Sequence, residues 1–355
     1  MYGCALMLRA AITLVSLAWA ASVAAQTTGL QLVEELRLGR VDGSGPDVFA
    51  DIHDIAVDSH GRIYVLDPGW RDVRLFDRDG RFIRQLAPEG DGPGERRHRR
   101  QFLALLTWDE DRDRLWIDDE VFLSVLDSLG VEHARDTNVS DDFDINPNHP
   151  VTVVMAVDRE GRLYEQQYKS LGDSVYSYVA RGQVTSDYGM SGDTLHIDTR
   201  AMVQRGPPQT RRTSRGSVSG SMTVTFVAPA RDHIGWSISP EGTVWLADLN
   251  EPRLHELTIV GDTLRSLAIP QKDLAELDIS PEGWIWARRL TDSNKSTWDL
   301  LDNCGSFRGS VSAPHRVSVT EVGPGGEVHV VASDDLDIEY VLRLRLQGEV
   351  HERTC

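Results

Sequence analysis

The chain has 355 residues and a formal charge of −18, from 55 acidic and 37 basic side chains. That balance excludes general nucleic-acid binding, which needs a basic footprint, and reads first as a solubilising surface. Length alone allows one large domain or two ordinary ones. After the first 25 residues no long stretch has helical periodicity, so the fold class is all-β.

Residues 1–25 read as a signal peptide and drop out of the fold. Arg9 supplies a positive start, Ala10 to Ala20 is apolar, and Ser22-Val23-Ala24-Ala25 offers small residues for cleavage before Gln26. The apolar run is too short for a membrane span, and no other run approaches that length. Cys4 precedes the run, so it is not placed as a lipoprotein cysteine. The mature chain, 26–355, is expected to be a soluble monomer in the periplasm or outside the cell. Next comes a strand, Leu30 to Leu38, with no partners nearby in the sequence.

From Asp51 to Glu95 the chain reads as four short strands separated by three turns. Ile55 and Val57 lead into Asp58-Ser59-His60-Gly61, Ile63 and Val65 into Asp67-Pro68-Gly69, and Val73, Leu75 and Phe76 into Asp77-Arg78-Asp79-Gly80; Phe82, Ile83 and Leu86 form the fourth strand. Asp-Gly and Pro-Gly pairs supply the positive φ that tight turns need. One sheet of this kind cannot bury both faces, but stacked copies can, and the unit recurs. Thr107 to Trp116 is a degenerate copy that lacks the glycine. Met155 to Tyr164, Trp236 to Trp245, Leu277 to Trp286 and Thr320 to His329 repeat Ile55 to Tyr64 position for position.

Six copies predict a six-bladed β-propeller of four-stranded antiparallel blades, forming a single domain. The blades are expected at 51–87, 101–135, 151–199, 232–269, 273–311 and 316–350, with a mobile insertion at 199–230. The Leu30 to Leu38 strand is then expected to pair with the last blade as an outer strand and close the ring. The strand-turn-strand Ile55 to Asp67, with the trailing Gly90-Asp-Gly-Pro-Gly-Glu95, resembles an NHL-type propeller repeat. The mature chain as a whole resembles secreted bacterial six-bladed propellers related to that family. The likeness is strongest in blade one, intermediate in blades four and five, and weakest in the rest. It implies a fold and little about activity, because propellers host lyases, lactonases, esterase-like hydrolases and binding modules.

Two cysteines remain after the signal peptide, Cys304 and Cys355. In an oxidising compartment their disulfide would pin the C-terminal strand to the preceding blade. A loop of that length contributes about 4 kcal/mol in the chain-entropy model. The alternative is two free or intermolecularly bridged thiols.

Ligand sites on a propeller usually lie on the face carrying the blade-to-blade connectors, over the central channel. One connector holds Arg96, Arg97, Arg99 and Arg100; another, Thr199 to Ala230, holds Arg200, Arg205, Arg211, Arg212 and Arg215 without an acid. Guanidinium forks suit carboxylate, sulfate or phosphate, so these arginines are the expected ligand contacts. A third connector, Asp141 to Asn148, has calcium-type oxygens at Asp141, Asp142, Asp144 and Asn146. It lacks the glycine and final glutamate of an EF-hand and reads as an Asx-rich turn. Zinc needs about three ligands at one level. His53, His149, His233 and His315 fall at different depths along their strands. That argues against a shared metal; an enzyme with a metal over the channel would have to draw on His53, His233 and Glu276. Ser239 and Ser280 recur at equivalent turn positions, as turn residues do and a single active site does not. Asp67, Trp70, Asp118, Asp248 and Asn250 are expected in hairpin loops on the connector side, as funnel lining or as turn residues. No nucleophile elbow, zinc-protease motif or phosphate loop is present.

The sequence therefore points first to an extracytoplasmic, non-enzymatic binding propeller. It would need no cofactor and would take a protein, a glycan or a small anion on its connector face. The alternative is a metal-dependent lactonase or lyase, using zinc or calcium over the central channel.

Overall fold

The computed structural model describes residues 29–348 except 71, 89, 91, 93–94, 96–104, 119–121, 138–150, 172–173, 185–189, 204–234, 240, 249–250, 259–260, 271–273, 290–295 and 314. The fold is an all-β propeller of four-stranded antiparallel blades. Strand β1 (Gln31–Leu38) comes first. A sheet follows from β2 (Asp54–Val57), β3 (Ile63–Asp67), β4 (Asp72–Phe76) and β5 (Phe82–Leu86). The next holds β6 (Leu105–Asp109), β7 (Arg114–Asp118), β8 (Phe122–Asp127) and β9 (Glu132–Thr137). The third holds β10 (Val151–Val157), β11 (Arg162–Leu171), β12 (Ser174–Val184) and β13 (Met190–Val203). Then come β14 (Trp236–Ile238), β15 (Val244–Ala247), β16 (Arg253–Leu257) and β17 (Thr263–Ala268), and β18 (Leu274–Ile279), β19 (Ile285–Arg289), β20 (Thr297–Leu301) and β21 (Phe307–Ser312). The last sheet takes β22 (Arg316–Val322), β23 (Glu327–Ser333) and β24 (Glu339–Gln347) from the end of the chain, and β1 from its start.

Each sheet meets the next through an apolar cluster of its own. Tyr64 and Leu75 pack with Leu106 and Leu115, Trp116 and Leu123 with Met155 and Leu163, and Tyr164 with Trp236 and Val244. Trp245 and Leu254 pack with Leu277 and Ile285, Trp298 and Leu300 with Val328 and Val330, and Val331 and Val341 return to Ile55 and Ile63. The strands nearest the axis, β2, β6, β10, β14, β18 and β22, neighbour one another in that cyclic order. Tyr64 stacks on Trp108 across one seam, with centroids 5.2 Å apart. Such contacts add about 0.5–1.5 kcal/mol to the burial itself.

The aspartates at the turns explain the repeat. Asp58 Oδ1 accepts the backbone N–H groups of His60 and Arg62. Asp158 accepts those of Glu160 and Arg162, and Asp77 those of Asp79 and Arg81. One short side chain thus satisfies two turn donors. Gly61 at φ 73° and its counterparts take the left-handed position each turn requires. In the degenerate copy Asp113 stands there instead, at φ 55°, a conformation asparagine and aspartate tolerate better than most residues.

The third sheet departs from expectation. Its strands lengthen outward from 7 to 14 residues, and β13 runs to Val203, taking in the first five residues of the segment read as an insertion. The period-two pattern Leu195, Ile197, Thr199, Ala201, Val203 continues past the expected boundary and explains the extension. The rest of that segment lies outside the described residues.

The seam between the chain's two ends is a second distinctive region. β1 pairs antiparallel with β24, from Gln31 opposite Gln347 to Leu38 opposite Val341, and the register shifts between Glu34 and Leu36. The residue at that bulge, Glu35, meets Arg345 Nε at 2.7 Å and Arg343 Nε at 3.4 Å. Beside it Glu327 accepts from Arg78 and Arg345, both at 2.7 Å. His329 is buried against this cluster, 3.8 Å from Glu327, and neither ring nitrogen has a hydrogen-bond partner.

Candidate functional site

The inner strands enclose a cavity of 580 Å³ on the propeller axis. It is within the size range of small-molecule sites. Its charged lining comes chiefly from three sheets: His53 and Asp54 at the start of β2, Glu276 and Asp278 on β18 with Arg288 on β19, and Glu321 on β22, where Thr320 adds a hydroxyl; Thr107 on β6 and Ser237 on β14 add two more. Glu339, at the start of β24, also reaches it.

These acids hold equivalent places in the repeat. Asp54 and Glu276 each precede their turn residue, Asp58 or Ser280, by four positions. Asp278 and Glu321 precede Ser280 and Gly323 by two. The matching residues elsewhere are Val154, Gly235 and Val319 at the first position, and Ala56, Ala156 and Ser237 at the second. Alternation along a strand sends both positions to one side of the sheet, so acids from neighbouring blades collect along the same cavity.

Two of the groups are tied into the fold. Asp54 Oδ2 accepts the Leu106 N–H of the next sheet at 2.8 Å, and its Oδ1 accepts the Ile55 N–H at 2.9 Å. Arg288 Nε donates to Glu276 at 2.7 Å, and its two terminal nitrogens donate to the carbonyls of Val317 and Ser318 at 2.8 and 3.3 Å. Arg288 therefore bridges two blades while neutralising one carboxylate.

The two amide bonds compensate Asp54 only in part, and among the described residues Asp278 and Glu321 have no partner of that kind. Burial pushes the Asp54 carboxyl up to about 7 against the pull of its two amide bonds, and the Glu276 charge adds to the rise. Burial also raises Glu321 to about 8, helped by Asp54 and Glu276. Asp278 lies well above the ordinary carboxylate range through burial and the charges of Glu276 and Glu321, with Arg288 opposing. Its Oδ2 has no hydrogen-bond partner. Thr320 is 5% exposed, and its hydroxyl is likewise unpartnered. One guanidinium cannot balance four half-buried carboxylates, and with Glu321 raised to about 8 the cavity wall holds protons at neutral pH and presents both donors and acceptors.

The connector-side mouth has a related composition. His53 Nε2 stands 3.3 Å from Asp51, and its Nδ1 is buried without a partner. Glu339 accepts the Ile52 N–H at 2.6 Å and is raised chiefly by burial.

Of the candidate metal set, His53 and Glu276 both line the cavity, and His233 lies outside the described residues. Glu276 is engaged by Arg288 and His53 by Asp51. Among the described residues no three His, Cys, Asp or Glu side chains are grouped to hold a metal ion. Arg96, Arg97, Arg99, Arg100, Arg205, Arg211, Arg212 and Arg215 all fall outside the described residues, as do the acidic connector, His149, Asn250, Cys355 and residues 1–25. His315 is bonded to Arg37 at the surface, at 3.1 Å. Asp67 serves its turn, accepting the N–H groups of Ala50, Asp51 and Trp70. The Ser239 and Ser280 hydroxyls accept the N–H groups of Thr243 and Trp284. Both serines are turn residues.

Sequence reasoning singled out His53 and Glu276, as metal ligands, and did not name Asp54, Asp278, Glu321 or Arg288. The available signal was an acid at an inner-strand position where the other copies carry small or apolar residues.

No protein-family model matches the chain, and no curated protein matches it. Among solved structures it is similar to a member of the DUF4221 family from Bacteroides vulgatus, with 9% identity and a TM-score of 0.55, over 91% of this chain and all of the other. It is also similar to virginiamycin B lyase from Staphylococcus aureus, with 12% identity and a TM-score of 0.50, over 90% of this chain and all of the other. At such identities the likeness shows the propeller fold alone. No helix among the described residues is long and apolar enough to cross a membrane.

Proposed function

We propose that the chain is an exported, six-bladed binding propeller of the NHL-like kind, closed by its N-terminal strand, that receives a small ligand through the connector face into the axial cavity. The observation that carries this reading is the cavity itself. Its polar wall is fixed by inter-blade bonds from Asp54 and Arg288 before any ligand arrives. A preformed wall lowers the ordering cost of binding. Residues 1–25 act as the signal peptide, and Cys304 pairs with Cys355 in the oxidising compartment. The arginines at 96–100 and 205–215 remain the proposed contacts for a protein, glycan or anionic part of a ligand on the outer connector face.

A second reading, a metal-dependent lactonase or lyase, draws on His53 and Glu276 sharing the cavity. One experiment separates the two. The mature protein is screened by thermal shift against amines, carboxylic acids, oligosaccharides and lactones, and each compound that stabilises it is recovered and analysed by mass spectrometry. A ligand recovered unchanged, whose shift is lost in Asp278→Asn, supports binding. Recovery of a hydrolysed or eliminated product replaces binding with the enzyme reading. A complete absence of stabilising compounds removes the cavity as a ligand site.

A further inference from the structure

Resting on the cavity as the ligand site, the charge and hydrogen-bonding character of its inner end point to the class of ligand. Asp278 Oδ2 and the Thr320 hydroxyl are buried oxygens without partners, and both line the cavity beside Glu321. Thr320 belongs to β22 and Asp278 to β18, so the two orphaned acceptors come from different sheets and face one space. A buried acceptor left unbonded costs on the order of 1–3 kcal/mol, and more when charged, and two of them in one cavity mark a place where donors are missing. The acids add a second demand. Asp54, Glu276, Asp278 and Glu321 face one guanidinium, Arg288, with His53 and Glu339 nearer the mouth.

We propose that the cavity takes the ammonium or guanidinium end of a small organic cation, held by Asp278, Glu321 and the Thr320 hydroxyl. An ammonium carries three donors and no acceptor, and a guanidinium carries a fork of donors, which matches a wall offering acceptors on separate strands. A bare metal ion asks instead for ligands converging at about 2–2.6 Å, and the described acids are not grouped that way. An anion would meet carboxylates, and a neutral ligand would supply no charge to those that ionise.

Protons and the cation then compete for the same carboxylates. Asp54 and Glu321, raised to about 7 and about 8, lose their protons as the pH climbs from 6 to 8, and Asp278 is raised with them, while an alkylammonium keeps its charge well above pH 8. Binding therefore releases protons and strengthens as the pH rises.

The test is calorimetric titration of the mature protein with putrescine at pH 6 and pH 8. The uncharged 1,4-butanediol and the dianion succinate serve as probes of the same length. The expected result is putrescine binding at least tenfold tighter at pH 8 than at pH 6, with neither control competing. Asp278→Asn and Glu321→Gln should each weaken putrescine at least tenfold at pH 8 and flatten its pH dependence. Melting at or above the wild-type temperature shows that each variant is folded. Failure of putrescine to bind at millimolar concentration at pH 8 overturns the proposal. Binding of butanediol or succinate that Asp278→Asn abolishes also overturns it, while leaving the binding propeller intact.

Discussion

The seam and the axial cavity bury charge in opposite ways. At the seam two carboxylates, Glu35 and Glu327, are shared among Arg78, Arg343 and Arg345, each within 3.4 Å of at least one of them. The Arg345 hydrogen bond chiefly holds Glu35 below its usual range. Burial, then the charges of Arg343 and Arg78, press His329 down to about 3. In the cavity the imbalance is reversed: four carboxylates meet one guanidinium, and Asp54, Asp278 and Glu321 are pushed up. At the seam the carboxylates find guanidiniums within the protein, and a neutral histidine is left unbonded. In the cavity a carboxyl oxygen and a hydroxyl are left unbonded among acids raised by burial, which is the pattern of a functional-site candidate.

The hardest break in this comparison is Arg288→Ala. It strands Glu276 and removes both donors to the β22 carbonyls, and losing the charge-assisted partner of this partly buried pair costs about 1.5–3 kcal/mol. Chemical denaturation should show it as a lower midpoint with an unchanged slope. Glu327→Gln at the seam should cost less, about 1–2 kcal/mol, because Arg78 is half exposed and can turn to water.

The smallest effects sharpen the contrast by sign. A carboxyl raised in the fold makes folding take up protons between its ordinary pKa and its folded one. The cavity therefore loses stability as the pH climbs from about 4 through 7 and 8, the values reached by Asp54 and Glu321. A histidine depressed in the fold does the reverse: the unfolded chain binds the proton first. The seam therefore loses stability as the pH falls from 6.5 toward 3. Glu321→Gln should flatten the alkaline limb of the melting curve and His329→Leu the acid limb, each by on the order of 2 °C. If either variant flattened the opposite limb, the assignment of the two regions would be reversed.

Most of the fold was legible because turns write themselves into sequence. Asp58, Asp77 and Asp158 with their glycines mark strand ends by a local mechanism, each side chain bonding amides two and four residues on. The seam was legible as an unpartnered strand at Leu30 to Leu38. The cavity was less so, because its chemistry arises between copies rather than within one. Asp278 and Glu321 lie 43 residues apart on neighbouring blades, and nothing local announces that each faces the other's charge. Arg288 sits on the second strand of its blade and looks like any solvated arginine until its donors are seen crossing to Val317 and Ser318. The outer end of the third sheet was misjudged because an arginine-rich composition outweighed a pattern that still alternated.

The pairing of β1 with β24 also sets an order of events. The first strand of the domain to be synthesised finds its partner only when the last one exists, so the rim carrying Glu35 stays open while almost the whole domain is being made. Contacts between positions so far apart in the chain are entropically costly to form and come late. Once made, they hold every blade between them. Parting the two ends is then a step that unfolding has to include, and weakening the arginine-laced edge of Arg343 and Arg345 is expected to shorten the protein's lifetime rather than change its ligand affinity.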